Sequence, residues 1–283
     1  MLVNSVTKKY SSSVILNNLS FELNQGDIIG LVGRNGAGKS TLMKMIAQTI
    51  QAYDGSISDN DQVGYLIEEP KLIPNKTGLF HLTYFSNIYG NTFKLHEYEG
   101  LLRKLQLFDV LNKKVKEYSL GMRQKLGIVM SLLNNPRYIV LDEPTNGMDV
   151  ETTFEVLQEL RRLAEERNVG ILISSHKLED VEAICDRVLF LENGAIADEQ
   201  QLRNNKQRIL TLVFEDSTAL ATFVKMQQFG SIIHSGDKEI QIETVVENAD
   251  IFKMLNRLDL RLIDFTAEKK TLRRVYMNKF RGE

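Results

Sequence analysis

The run Gly33-Arg34-Asn35-Gly36-Ala37-Gly38-Lys39-Ser40-Thr41 fits the phosphate-binding pattern G-x-x-x-x-G-K-[ST], and its flanks leave few folds open. Upstream, Asp27-Ile28-Ile29-Gly30-Leu31-Val32 is a short apolar run of the kind that forms a buried parallel strand. Downstream, Leu42, Met45 and Ile46 recur at helical spacing and Ile50 extends the face. A strand, a glycine turn and a helix in that order aim unpaired backbone N–H groups and a positive helix end at one place, which suits an anion. Lys39 is then expected at the outer phosphates of a nucleotide, and the Ser40 hydroxyl on Mg²⁺.

The remainder of the chain is compatible with a cytoplasmic protein. Its 283 residues suit one large domain or a domain and a half, 43% of them are hydrophobic, and the net charge is only −2. That balance gives no broad basic field for nucleic acid, and no nucleic-acid partner is expected. Residues 201–283 carry fourteen Lys and Arg against eleven Asp and Glu, leaving that part at +3. The single cysteine, Cys185, excludes an internal disulfide framework and fits a reducing compartment. No apolar stretch reaches the about eighteen residues of a membrane-spanning helix. The opening Met1-Leu2-Val3-Asn4-Ser5 lacks the regions of a signal peptide.

Taken in order, Leu2 to Thr7 and Val14 to Leu23 alternate apolar and polar residues, which predicts an antiparallel β-region with Tyr10 in the intervening turn. Such an aromatic serves either as a loop anchor or as a platform for a purine base. After the phosphate loop and its helix, Asp54-Gly55 and Asp59-Asn60-Asp61 mark turns, and Val63–Ile67 reads as a buried strand ending in Glu68-Glu69-Pro70. Helical faces then dominate a predicted insertion over about 77–135. Its last helix starts at Ser119, a residue type that caps helix N-termini.

Two further strand ends carry candidate chemistry. Tyr138-Ile139-Val140-Leu141 runs into Asp142-Glu143, and carboxylates at the C-terminal end of a parallel strand stand where ligands bind. An Asp-Glu pair is commonly just a solvated turn, but a phosphate loop implies a metal that needs an acidic partner. Gly170–Ser175 ends at His176. A lone histidine is more often a structural hydrogen-bonder, and its place beside the other strand ends argues for a functional one. After about Asn205 the order becomes βαββαβ, which matches a small ferredoxin-like α+β domain over 206–283. A last helix, Lys270–Phe280, has one apolar face and is expected to dock on its own domain; a membrane-surface anchor is the alternative.

With the phosphate loop, Tyr118-Ser119-Leu120-Gly121-Met122-Arg123-Gln124, the acidic strand end and His176 in this order, residues 1–205 resemble an ABC-transporter ATPase domain. The fold implied is α/β, with a mainly parallel core sheet, an N-terminal antiparallel β-region and a helical insertion. The resemblance implies an ATP hydrolase with ATP and Mg²⁺ bound by Gly33 to Thr41, Tyr10 stacked on adenine, and Asp142 and Glu68 beside Ser40 at the metal. It makes Glu143 the general base, His176 the γ-phosphate contact, and Asn146-Gly147-Met148-Asp149 a loop that communicates between protomers. Ser119 and Gly121 would serve the ATP of a second subunit in a head-to-tail dimer.

Two departures from the family pattern stand out. Leu120 and Met122 replace a Gly and the Gln of Leu-Ser-Gly-Gly-Gln, and Glu68 stands where most members have glutamine. Together with the small C-terminal extension they resemble the bacitracin and lantibiotic exporter branch. That resemblance implies a separate membrane permease, a peptide or lipid-like cargo chosen by that permease, and a place on the inner face of the cell membrane. A soluble ATPase of the same type acting on ribosomes or DNA, and a phosphate-loop kinase, are the competing readings. The first lacks its usual second cassette or long coiled-coil insertion here, and the second leaves the signature helix unexplained.

Overall fold

The structure is a computed structural model that describes residues 1–203, 207–269, 271–274 and 276. The chain divides into two compact units, Met1–Arg203 and Asn204–Glu283. In the first, the order is β1 (Leu2–Tyr10), β2 (Ser13–Glu22), β3 (Ile28–Val32), α1 (Lys39–Ile46), β4 (Asp54–Ile57), β5 (Val63–Leu66), α2 (Gly78–Ile88), α3 (Leu95–Lys104), α4 (Leu120–Ser131), β6 (Tyr138–Asp142), α5 (Val150–Arg167), β7 (Gly170–Ser174), α6 (Leu178–Ile184), β8 (Arg187–Glu192) and β9 (Ala195–Gln201).

A six-stranded sheet runs β5-β6-β7-β3-β8-β9, parallel throughout except for the antiparallel edge strand β9. Every residue of β3, β6 and β7 is buried, which is why these strands read as unbroken apolar runs rather than as alternation. This strand order decides the function. Because β6, β7 and β3 are neighbours and parallel, the segments following them emerge side by side at one end of the sheet.

Helix α1 is held between two sheets. Its Leu42, Met43, Met45 and Ile46 share a core with Val3 and Val6 of β1, Leu16 and Leu19 of β2, and Ile29, Leu31, Val140 and Leu172 of the parallel sheet. Each fully buried aliphatic side chain of this set contributes about 1.5–3 kcal/mol relative to exposure. The phosphate loop is thus tethered at both ends to rigid elements.

Several expectations are corrected in detail. Tyr10 is the last residue of β1, paired with Ser13, and not part of the turn. Asp54-Gly55 begins strand β4, which adds to β1 as the third strand of an antiparallel β2-β1-β4 sheet. The strand is exposed and polar, so no alternation marks it; Gly55 takes a left-handed φ of 92°, and a Cβ there would lie 2.5 Å from the Ser5 carbonyl oxygen. Strand β9 went unread for the same reason, being a half-exposed polar edge.

The second unit contains β10 (Arg208–Phe214), α7 (Ser217–Met226), β11 (Gly230–Ser235), β12 (Glu239–Thr244), α8 (Asn248–Arg257) and β13 (Leu262–Lys269). Its sheet runs β11-β12-β10-β13 with every neighbouring pair antiparallel, the ferredoxin-like order. Leu220 and Phe223 of α7 and Ile251 and Leu255 of α8 pack on Leu210, Leu212, Phe214, Ile240 and Ile242. Of the expected last helix, residues 272–274 and 276 are helical, Thr271 precedes them without helical structure, and the remainder lies outside the described residues. Leu272 is buried, and Arg274 donates to Gln241 Oε1 at 2.6 Å, so this piece lies on its own unit.

Candidate nucleotide site

The phosphate loop leaves β3 and turns into α1 through Gly38, which occupies the N-cap position at φ 106° with no side chain covering the helix end. A side chain at this position is excluded twice over, by the left-handed backbone and because its Cβ would stand 2.5 Å from Leu16 Cδ2. The first N–H groups of α1 therefore face outward without a capping partner, as anion binding requires. Lys39 curls back over the loop, its ammonium donating to the Gly33 carbonyl at 2.7 Å and the Arg34 carbonyl at 3.3 Å.

Beside the loop runs a chain of short hydrogen bonds linking the start of α1 to the ends of β6 and β7. Ser40 Oγ donates to Asp142 Oδ2 at 2.6 Å, and Ser174 Oγ donates to Asp142 Oδ1 at 2.5 Å. The Glu143 amide in turn donates to Ser174 Oγ at 3.0 Å. Glu143 has a left-handed φ of 51°, uncommon for a non-glycine residue, which turns its side chain away from the strand direction. Its Oε2 lies 2.6 Å from His176 Nδ1. The phosphate loop, the two acids and the histidine are one connected constellation.

Glu68 approaches from the loop after β5, also at a positive φ of 63°. Its Oε1 is 2.7 Å from the Lys44 ammonium of α1. The hydrogen bond and charge of Lys44 hold the Glu68 carboxyl below its ordinary range, and the Lys44 ammonium is correspondingly raised. Ser40 and Lys44 are one turn apart on α1, so a single helix face engages both Asp142 and Glu68.

These groups border one cleft of about 570 Å³. Asn35, Gly36, Gly38, Lys39, Ser40, Thr41, Glu68, Asp142 and Glu143 line it, as do Asn146 of the loop before α5 and three residues given no role from sequence, Ile15, Glu69 and Gln124. His176 reaches the cleft through Glu143, and Gly33, Arg34 and Ala37 complete the loop behind it. The donors around Ser40, Asp142 and Glu68 are all oxygen atoms, the set that suits a hard divalent cation such as Mg²⁺.

Four expected residues stand apart from this cleft wall. Tyr10 is 49% exposed at the end of β1, with the Lys8 ammonium 4.6 Å from its ring centroid. Ser119 caps α4, accepting from the Met122 amide at 3.2 Å, and Gly121 follows in the first turn. Asp149 caps α5, accepting from the Thr152 amide at 2.8 Å, which depresses its carboxyl pKa. The two caps meet within the chain. A Cβ on Gly147, at φ 74°, would lie 2.3 Å from Leu120 Cδ2, so Leu120 packs into the space that this glycine leaves.

Ser174 was invisible in sequence because a serine inside an apolar strand carries no pattern. Gln124 had a weak signal as a polar residue on a helix otherwise buried around it. It is only 3% exposed, and its Oε1 is buried with no hydrogen-bond partner among the described residues.

The comparisons with known proteins agree with this geometry. Residues 16–146 match the ABC transporter family. The chain is 30% identical to the uncharacterised ABC transporter ATP-binding protein YdbJ of Bacillus subtilis, over 95% of this chain and 92% of the relative. It is 36% identical to the lantibiotic transport ATP-binding protein SrtF of Streptococcus pyogenes, over 70% and 90%. Identity to the bacitracin transport ATP-binding protein BcrA of Enterococcus faecalis is 32%, over 72% and 70%.

Among solved structures, an ATP-binding subunit of an ABC transporter superposes with a TM-score of 0.62 at 29% identity, covering 71% of this chain and 89% of that one. A dimeric post-hydrolysis cassette bound to ADP and Pi has the same fold, with a TM-score of 0.63 at 24% identity over 72% and 99%. On this fold, this motif set and these relatives, the chain belongs to the ABC transporter family as an ATP-binding, ATP-hydrolysing subunit.

Proposed function

We propose that this subunit drives a separate membrane permease that exports a peptide antibiotic, lantibiotic or lipid-like cargo, and that it works as a head-to-tail ATP-bound dimer on the inner face of the cell membrane. The observation that carries the catalytic part is the bonded chain Ser40–Asp142–Ser174–Glu143–His176 alongside the glycine loop. Lys39 exchanges its carbonyl partners for the outer phosphates, while Tyr10 stacks on the adenine from the end of β1. Ser40, Asp142 and Glu68 would hold Mg²⁺, which would supply positive charge against the phosphates.

Glu143 accepts a proton from the attacking water as the water oxygen bonds to the γ-phosphorus and the bond to the bridging oxygen of ADP breaks. His176 fixes the Glu143 carboxylate through Nδ1 and presents its other face to the γ-phosphate. Ser119 and Gly121 lie outside the wall of their own cleft, which suits service to the ATP of the partner, and Asp149 opens the loop that reports across the dimer.

Coupling is supported by the segment Glu68-Glu69-Pro70. Glu69 lines the nucleotide cleft and also a second cavity of about 200 Å³ formed with Tyr65, Pro70, Lys71, Phe85, Tyr89 and Met130. Tyr65, Tyr84, Ile88 and Tyr89 leave exposed apolar surface around that cavity. A permease helix seated there would feel the Glu68 loop move. Among the described residues no helix is long and apolar enough to cross a membrane.

Affinity purification from native membranes in mild detergent tests the partner: a polytopic membrane protein in near-stoichiometric amount is expected. Co-purification with ribosomes or nucleic acid instead would overturn the reading. For the cargo, disruption of the gene is expected to raise sensitivity to bacitracin or lantibiotics. Unchanged sensitivity to both classes would remove the antibiotic-peptide assignment and leave the ATPase intact.

A further inference from the structure

The nucleotide cleft has an electrostatic difficulty for a site that receives a polyanion. Its lining includes four carboxylates, Glu68, Glu69, Asp142 and Glu143, and one cation, Lys39. Asp142 is screened by the two hydroxyls that donate to it, and Glu143 by His176. Glu68 has a full counter-charge instead, the Lys44 ammonium at 2.7 Å. That lysine is outside the wall of the cleft but on the same helix face as Ser40, one turn further along α1.

The geometry points to Lys44 as a positioning residue of the metal site: it pairs with the Glu68 carboxylate, and a divalent cation arriving with ATP would compete for that same carboxylate. The inference rests on the proposed placement of the metal at Ser40, Asp142 and Glu68. Two features favour an exchangeable clamp over a permanent staple. Both partners are substantially solvent-exposed, with side-chain exposures of 35% and 56%, so the pair changes an equilibrium by only about a few-fold. Glu68 also lies in the loop after β5, outside any helix or strand, so its carboxylate can pass from one cation to another without a change of fold.

A divalent ion concentrates two charges at a point, whereas the ammonium carries one on a flexible stem, so the ion wins once phosphate oxygens complete its ligand set. Freed from Glu68, Lys44 remains near a cleft that then contains phosphate. Lys44 thereby lowers the affinity for metal alone while limiting repulsion before ATP arrives.

The test is Mn²⁺ binding, followed by electron paramagnetic resonance on the full chain with a saturating non-hydrolysable ATP analogue. Lys44→Met is expected to tighten Mn²⁺ binding about two- to five-fold by removing the competitor. Lys44→Arg, which can rebuild the pair, is expected to stay near wild type. Glu68→Gln is expected to weaken Mn²⁺ binding, and adding Lys44→Met to it should have no further effect. An equal gain from Lys44→Met in both backgrounds would mean that Lys44 acts through general charge, and would overturn the proposal. So would no gain, or weaker binding, in Lys44→Met alone. Asp142→Asn separates the two layers. If it abolishes Mn²⁺ binding while Glu68→Gln has no effect, the metal site stands and the role of Lys44 falls. If Asp142→Asn also has no effect, the metal placement falls with it.

Discussion

His176 Nδ1 lies 2.6 Å from Glu143 Oε2, joining by side chains the ends of two strands, β6 and β7, that are already paired in the sheet. The carboxylate is thus aimed by a neighbour and not by its own rotamer alone. Glu143→Gln keeps the shape and removes the base. It is expected to retain nucleotide binding, to lose about 10²–10⁴-fold in ATP turnover and to accumulate an ATP-bound dimer on size-exclusion chromatography. Turnover at the wild-type rate would strip Glu143 of its role. His176→Ala, which frees the carboxylate to wander, is expected to cost up to about 10²-fold in turnover with nucleotide affinity less affected.

Gly38→Ala is expected to damage the loop from two directions. The left-handed backbone costs an alanine about 1–2 kcal/mol, and the new Cβ collides with Leu16 in the core beneath α1. Both a lower melting temperature and weaker ATP binding should follow. Adding Leu16→Ala removes the collision but not the backbone cost, so it should restore ATP affinity in part. No recovery would mean that the backbone conformation alone governs the loop.

Asp186 accepts from the Ile28 amide at 2.8 Å, from Arg161 at 2.8 Å and from Arg203 at 3.1 Å, tying the start of β3 to α5 and β8. Burial alone would raise its carboxyl, but Arg161 and the Ile28 amide outweigh that and hold it below the ordinary range. Because the folded pKa is depressed, this contribution is complete above the ordinary aspartate range and is lost as pH falls through the folded value. Asp186→Ala leaves the largely buried Arg161 with only the exposed Glu165 and the Ile184 carbonyl, and is expected to cost about 3 kcal/mol in chemical denaturation. A loss of under about 1 kcal/mol would show that the network is dispensable.

His81 offers a second pH dependence, local to the segment after Glu68. The ring is fully buried, its Nε2 accepts from the Ile73 amide at 2.8 Å, and Nδ1 donates to the Thr77 carbonyl at 2.7 Å. Burial keeps it less basic than an ordinary histidine, although the Thr77 bond works the other way. The unfolded chain therefore takes up this proton first, and stability falls as pH drops below the ordinary imidazole range. Amide exchange at Ile73, corrected for its intrinsic pH dependence, should accelerate over that range in the wild type and show no such step in His81→Gln. Identical profiles would rule out the histidine as the cause.

How much was legible in sequence follows from burial. Strands β3, β6 and β7 are covered on both faces and so appear as apolar runs, which makes the strand ends leading to the glycine loop, to Asp142 and Glu143, and to His176 legible in the sequence. Strands β4 and β9 lie at exposed edges, where the selection for alternating apolar residues is absent. Tyr10 reads as a turn residue because it falls between the alternating stretches Leu2 to Thr7 and Val14 to Leu23, whereas its backbone is fixed by pairing with Ser13. Within the site, residues on the glycine loop are constrained by conformation and leave a motif. Ser174, Lys44 and Gln124 act through where the fold brings them, and a serine in a strand or a lysine on a helix has no spacing to betray it.

The fit of Leu120 against the missing side chain of residue 147 makes the two positions a single unit of inheritance. A chimera that imports another cassette's signature segment, with glycine in place of Leu120, would open a void there, and one that imports a bulkier residue at 147 would displace Leu120 and the start of α4. Engineers swapping recognition segments between such subunits should move both loops together, and lineages that exchange one are expected to have exchanged the other.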